Sequence, residues 1–233
     1  MEATHPFVIP RDRPHLQPFT RPQRLLEGCV LALLQIRGDY WYDFSGKQNH
    51  GTLTNAIFSA KGRGGVGLSF NGTNARVEIA DAATIDFVDQ FTYSGWIYPT
   101  QSGSEMALLN KGTGGAPGDF SYYALWRVFD DIKFHISDGT NIDAVTTSKI
   151  PLNTWSNIVL VLTTTHLRAY VNGKADGVTA RTRNPVANNK KLYIGDSGDG
   201  ARYFMGIMDE VQVYDRALSV DEIRYLYDIG RVR

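Results

Sequence analysis

The chain has one cysteine, Cys29, no excess of either charge and no long apolar run. One thiol cannot close an intramolecular disulfide or build a cysteine-rich zinc site. Its neighbours Val30, Leu31, Ala32, Leu33 and Leu34 are those of a buried strand, so Cys29 is expected to be an inert core group. Lysine and arginine number 24, and so do aspartate and glutamate. Proteins that grip phosphate backbones carry a basic excess, so no nucleic-acid partner is expected. No segment reaches the ~18–20 apolar residues that cross a bilayer, so no membrane span is expected. Met1-Glu2-Ala3-Thr4-His5-Pro6 lacks the basic start and apolar core of a signal peptide. The expected localisation is synthesis in a cytoplasm, with packaging into a virion left open.

The 42% of hydrophobic and 21% of charged residues are those of an ordinary globular protein. A chain of this length buries roughly 70% of its unfolded surface without staples. Two regions are distinguishable. In residues 1–27, Pro6, Pro10, Pro14, Pro18 and Pro22 recur every fourth position, with Arg11, Arg13, Arg21 and Arg24 between them. Proline removes the amide donor and fixes φ, so this segment is expected to be an extended arm that does not fold alone. Residues 28–233 are expected to form one domain.

Turn chemistry divides that domain into strands. Asn71-Gly72, Asp138-Gly139 and Asn172-Gly173 each follow a run of alternating apolar and polar residues, the signal for a tight hairpin of type I′. Further strands are expected at 91–98, 106–110, 121–127, 155–163, 192–194 and 205–214, which argues for a sandwich or jelly roll. One helix is expected. Ser219-Val220-Asp221-Glu222 is a capping box, Leu218 and Ile223 form its staple, and Gly230 is the expected stop.

Several segments, in order, resemble the laminin-G-like, concanavalin A-like jelly rolls. They are Asp43–Asn55, Gly67–Gly72 with Val77-Glu78-Ile79, Phe91–Pro99, Thr154–Val159 with Leu167–Lys174, and Gly206–Ser219. The resemblance covers roughly residues 29–233 and implies two antiparallel sheets in a jelly-roll sandwich. Members similar to this chain hold a structural calcium ion. Carried over, that implies Asp209, with Asn71, Gly72 and Asp43 as further ligands. No other cofactor is implied.

Retaining glycanases of this architecture place carboxylates on alternate residues of one strand, so that two share a sheet face. No strand here carries that pattern, since Asp209 and Glu210 are adjacent and Glu78 and Glu105 are isolated. No nucleophile elbow, phosphate loop or paired-histidine helix occurs either, so an enzyme is not expected. His5, His15, His50, His135 and His166 show no metal-ligand spacing. For sugar binding, Tyr122 and Trp126 share a face by period two. Asp196 and Asp199 lie in a polar rim loop, as does the segment 112–116.

Two functions follow. The first is a structural or decoration component of a larger assembly such as a phage or virus particle. There the arm would clasp protein neighbours and the chain would be oligomeric or particle-bound. The alternative is a lectin-like carbohydrate-binding module.

Overall fold

The computed structural model describes residue 25, residues 27–63, 67–102, 105–112 and 123–231, with only the backbone described for 123–126. Sixteen strands run in chain order. The first eight are β1 (Cys29–Arg37), β2 (Tyr40–Asp43), β3 (Gly51–Thr54), β4 (Ile57–Ser59), β5 (Gly67–Asn71), β6 (Arg76–Ile79), β7 (Phe91–Pro99) and β8 (Glu105–Lys111). The rest are β9 (Tyr123–Val128), β10 (Asp131–Ser137), β11 (Ile142–Thr146), β12 (Ser156–Leu162), β13 (His166–Val171), β14 (Lys174–Ala180), β15 (Leu192–Ile194) and β16 (Met205–Tyr214). One helix, α1 (Val220–Arg231), closes the described chain. The protein is an all-β, antiparallel jelly-roll sandwich, as expected.

The ladder runs β11-β10-β9-β8-β15-β6-β3-β2-β1-β16-β7-β12-β13-β14 and folds over on itself through β2 and β1. The first seven strands make one layer, and those from β1 onward make the other. Strand β5 pairs with the first half of β16, and β4 pairs with β5. Between the layers lies one apolar core, in which Trp41, Leu68, Val77, Phe91, Leu109, Phe134, Leu160, Ile194 and Met208 are almost wholly removed from water. Each such side chain contributes about 1.5–3 kcal/mol of transfer free energy on burial.

The second layer is covered on its outside too. Ile223 and Leu226 of α1 pack with Cys29, Ala32, Val159, Val161, Tyr170 and Tyr214. This explains why β12 reads as an unbroken apolar run rather than an alternating one. The helix starts as its capping box requires: Ser219 N donates to Glu222 Oε2 at 2.8 Å, and Glu222 N donates to Ser219 Oγ at 3.3 Å. Arg216 then clamps Glu222 with bonds of 2.7 and 3.0 Å. These donors, the arginine first, hold the Glu222 carboxyl down at about 2.

Three local expectations need correction. Gly230 does not stop α1 but lies inside its last turn, where a Cβ would overlap the Trp96 indole. Asn71-Gly72 is not a hairpin, since β5 pairs with β4 and β16 while β6 pairs with β3 and β15. The dipeptide turns the chain from one layer to the other, and Asn71 Oδ1 accepts from the amides of Thr73, Asn74 and Ala75 at 3.0–3.1 Å. Asp138-Gly139 does begin a hairpin, but a four-residue one closed by Ser137 and Ile142. Asp138 Oδ1 caps it by accepting from Thr140 and Asn141. Only Asn172-Gly173, with φ of 51° and 73°, is the expected two-residue type I′ turn.

Candidate functional site

With α1 on the second layer, the outer face of the first layer is where, among the described residues, projecting side chains meet no second sheet. Strand β6 sends Val77 and Ile79 into the core, so Arg76 and Glu78 project outward. Strand β15 buries Leu192 and Ile194 and projects Tyr193. Register sets Tyr193 directly beside Glu78. Glu78 is held from two sides: Arg76 Nε donates to Oε1 at 2.7 Å, and Lys191 Nζ donates to Oε2 at 2.6 Å. The Lys191 bond, then that of Arg76, keeps the Glu78 carboxyl below the usual carboxylate range, and Glu78 raises both cations in return. The charges in this trio are therefore permanent near neutral pH. Burial, and then the Glu78 charge, push the Tyr193 phenol up, so it stays a neutral donor and acceptor.

The next element turns over the site. Gly195, at φ 79°, lies where any side chain would overlap the Phe70 ring, and it redirects the chain into the loop 196–202. That loop is tied to itself. Asp196 accepts from Gly198 N at 3.1 Å, and Asp199 accepts from the Ser197 hydroxyl and from Ala201 N. Arg202 joins Asp199 at 3.0 Å to Glu105 at 3.1 Å. Asn110, beside Tyr193 in register, donates to Ser197 O at 2.7 Å and fixes the loop to β8. Arg76 Nε lies 3.9 Å from Asp196 Oδ2. Burial pushes the Asp196 carboxyl up, partly offset by the Gly198 amide and by Arg76.

The sequence-predicted residues fall as follows. Asp196 and Asp199 share this loop. Trp126 lies in β9 opposite Ala107, which bridges to Tyr203, which in turn bridges to Asp196, so its backbone is on the strand next to the loop. The Trp126 side chain, Tyr122, the segment 113–116 and nearly all of the arm lie outside the described residues. Arg76, Lys191, Tyr193 and Tyr203 were missed. Period two along Arg76-Val77-Glu78-Ile79 was the available signal for the first of these.

The residues named for calcium do not converge. Asp209 is on β16 beside Trp96, whereas Asn71 and Gly72 lie at the Met205 end of that strand, four residues or ~13 Å away. The Asp43 carboxylate already accepts four bonds, from Ala32 N, Ser45 N, Ser45 Oγ and Asn49 N, all at 2.8–2.9 Å. It pins β1 to the loop after β2. Among the described residues, no three of His, Cys, Asp and Glu gather as a metal site. Asp209 and Glu210 are both buried around a β-bulge at which Glu210 adopts φ 51°.

Comparisons with known proteins agree with this architecture. A search of the curated proteins finds no match. Among solved structures, the binding domain of Paraclostridial mosquitocidal protein 1 superposes with a TM-score of 0.71 at 20% identity, covering 88% of this chain and 53% of that one. A botulinum neurotoxin type C structure, described as entering cells through two ganglioside molecules, gives 0.70 at 11% identity, covering 89% and 53%. The binding domain of botulinum neurotoxin DC in complex with SialylT gives 0.67 at 10% identity, covering 88% and 52%. The chain thus spans about half the length of these structures, and the likeness is one of fold. A family model matches residues 71–224, about two-thirds of the sequence, and by that match the chain belongs to the concanavalin A-like lectin/glucanases superfamily.

Proposed function

We propose that this chain is a non-catalytic, lectin-like module that binds a glycan around Tyr193 on the outer face of the first layer. This is the second of the two functions the sequence left open. An assembly function would rest on residues 1–27, nearly all outside the described residues. The observation that carries the glycan reading is the half-buried Tyr193 ring set against Glu78, which Arg76 and Lys191 hold fixed. A sugar ring presents an apolar face and a rim of hydroxyls. A ring platform beside ordered donors and acceptors answers both, and groups already fixed lose little entropy on binding. The described binding of gangliosides and of SialylT by proteins of this fold supports the reading at the level of analogy.

Binding fits this geometry better than hydrolysis. Hydrolysis needs a protonated carboxyl within reach of the leaving oxygen. Glu78 is held ionised between two cations. The neighbouring carboxyl, Asp196, is buried to 4% side-chain exposure and faces the same Arg76. A glycan array that includes sialylated and neutral oligosaccharides, probed with the wild type and with Tyr193→Ala, tests the reading. The expected result is selective binding that falls at least tenfold in the variant. Equal binding by both folded proteins would overturn the placement, and an empty array would overturn the function.

A further inference from the structure

The row of side chains that contains Tyr193 does not end at β6. Register sets Tyr193 beside Glu78, Glu78 beside Thr52, Thr52 beside Tyr40, and Tyr40 beside Arg37. Residues paired across antiparallel strands project from the same face, so these five positions form one line across β15, β6, β3, β2 and β1. Their neighbours confirm the orientation: Trp41, Val77 and Ile194 all point into the core.

At the far end of this line stands a second group of rings. Tyr40 is 46% exposed and meets Tyr42 edge-on, with centroids 6.2 Å apart. Tyr42 packs against His50 at 4.9 Å, and the Arg37 guanidinium lies 5.7 Å from the Tyr42 centroid. The His50 ring is oriented by the main chain, because its Nδ1 accepts from Asp43 N at 3.1 Å. In the neutral ring the hydrogen is therefore on Nε2, a fixed donor on the side away from Asp43. Among the described residues, neither Tyr40 nor Tyr42 belongs to the sandwich core. Trp41, between the two tyrosines, supplies the packing, while Tyr40 and Tyr42 stay on the outer face.

We propose that the two ring groups are the ends of one track, and that the ligand is an oligosaccharide lying across the strands from Tyr193 to the Tyr40–Tyr42–His50 shelf. This rests on the glycan reading and specifies the ligand's length. Three strand spacings separate Tyr193 from Tyr40, about 14 Å. That is too far for one pyranose ring and matches about three or four rings at one per strand. Between the platforms the track is polar, with Thr52 and the Glu78 trio facing it. The order is therefore ring, hydrogen-bonding centre, ring. A terminal monosaccharide would use only one platform and would leave the other without a role.

The experiment is isothermal titration of the full chain with two ladders of one to six units, cello-oligosaccharides and oligosialic acids. Wild type is compared with Tyr40→Ala/Tyr42→Ala and with Tyr193→Ala. Tyr40 is exposed and Tyr42 half-buried, and unfolding curves with circular dichroism check that the fold survives. In the wild type, affinity for at least one ladder should rise tenfold or more up to about four units and then level off. The double variant should flatten that rise while keeping the affinity for the shortest bound unit, whereas Tyr193→Ala should weaken every unit. Affinity independent of length, or a rise that survives the double variant, would overturn the track and leave glycan binding at Tyr193 standing. Binding of neither ladder would remove the track and the glycan reading together.

Discussion

Replacing Gly230 by alanine sets two effects of opposite sign against each other. Alanine is the better helix former by about 1 kcal/mol in a helix interior, and by less in a last turn, where Gly230 lies. Propensity alone would therefore make the variant more stable. Packing opposes this. The new Cβ would sit 2.7 Å from Trp96 Cε2 and 2.8 Å from Cζ2. The indole cannot retreat easily: Tyr227 stacks on it at 5.7 Å and 24°, and Arg63 lies over it at 4.3 Å. Arg63 is itself fixed by a 2.6 Å bond to Gly230 O. Overpacking a closed site costs about 1–3 kcal/mol, which exceeds the propensity gain. The expected net loss is about 1–2 kcal/mol, or roughly 2–8 °C in Tm for a chain of this size. Urea and thermal unfolding read the loss, and near-UV circular dichroism reads the displaced indole. Adding Trp96→Phe should recover part of the difference, giving a coupling energy within a double-mutant cycle. A Gly230→Ala protein more stable than wild type, with an unchanged near-UV spectrum, would refute the reasoning.

Two further outcomes follow from polar groups, one buried and one in an exposed turn. His135 is buried, and desolvation, with Lys133 adding repulsion, pushes its pKa down to about 4. The unfolded chain binds that proton near pH 6.5 and the folded chain does not, so stability falls as pH drops from 6.5 to 4. The fall is up to about 3 kcal/mol. Denaturation at pH 7, 5 and 4 should show this slope in wild type and lose most of it in His135→Gln, because the lowered Glu222 carboxyl contributes only from pH 4.5 down to about 2. Separately, Asn71→Ala strips the acceptor from three amides and one hydroxyl of an exposed turn, where water can replace it, and should lower stability by about 0.5–1.5 kcal/mol. Added calcium should not restore that loss in a thermal shift assay.

The fold was legible because its strands carry their own boundaries. Period two at Arg76–Ile79, the capping box at Ser219 and the type I′ turn at Asn172-Gly173 are all local patterns, and local chemistry decides them. The failures share one cause, which is that the deciding partner is remote in sequence. Asn-Gly chemistry at residue 71 specifies a sharp turn, but whether the next strand returns or crosses depends on β16, more than 130 residues later. Gly230 has the residue type of a helix stop, but the reason for glycine there is the indole of Trp96. Strand β16 departs from strict alternation at its bulge, so Met208 and Val211 both enter the core although three positions apart.

The candidate site was less legible for the same reason, and its make-up shows why a sandwich can carry it. Glu78 and Lys191 are 113 residues apart and meet only because β15 inserts between β6 and β8. In isolation each is a surface charge of a kind worth little. Placed by register between Tyr193 and Tyr40, and held there by Lys191, Glu78 becomes part of a row with fixed spacing. That spacing is a property of the sheet, set by backbone hydrogen bonds that the apolar core holds in register. Any shift by one residue would turn Tyr193 and Glu78 inward and Leu192 and Val77 outward. The core residues therefore position the row as much as the row's own contacts do. Disrupting a buried partner such as Val77 should weaken ligand binding even though it touches no ligand.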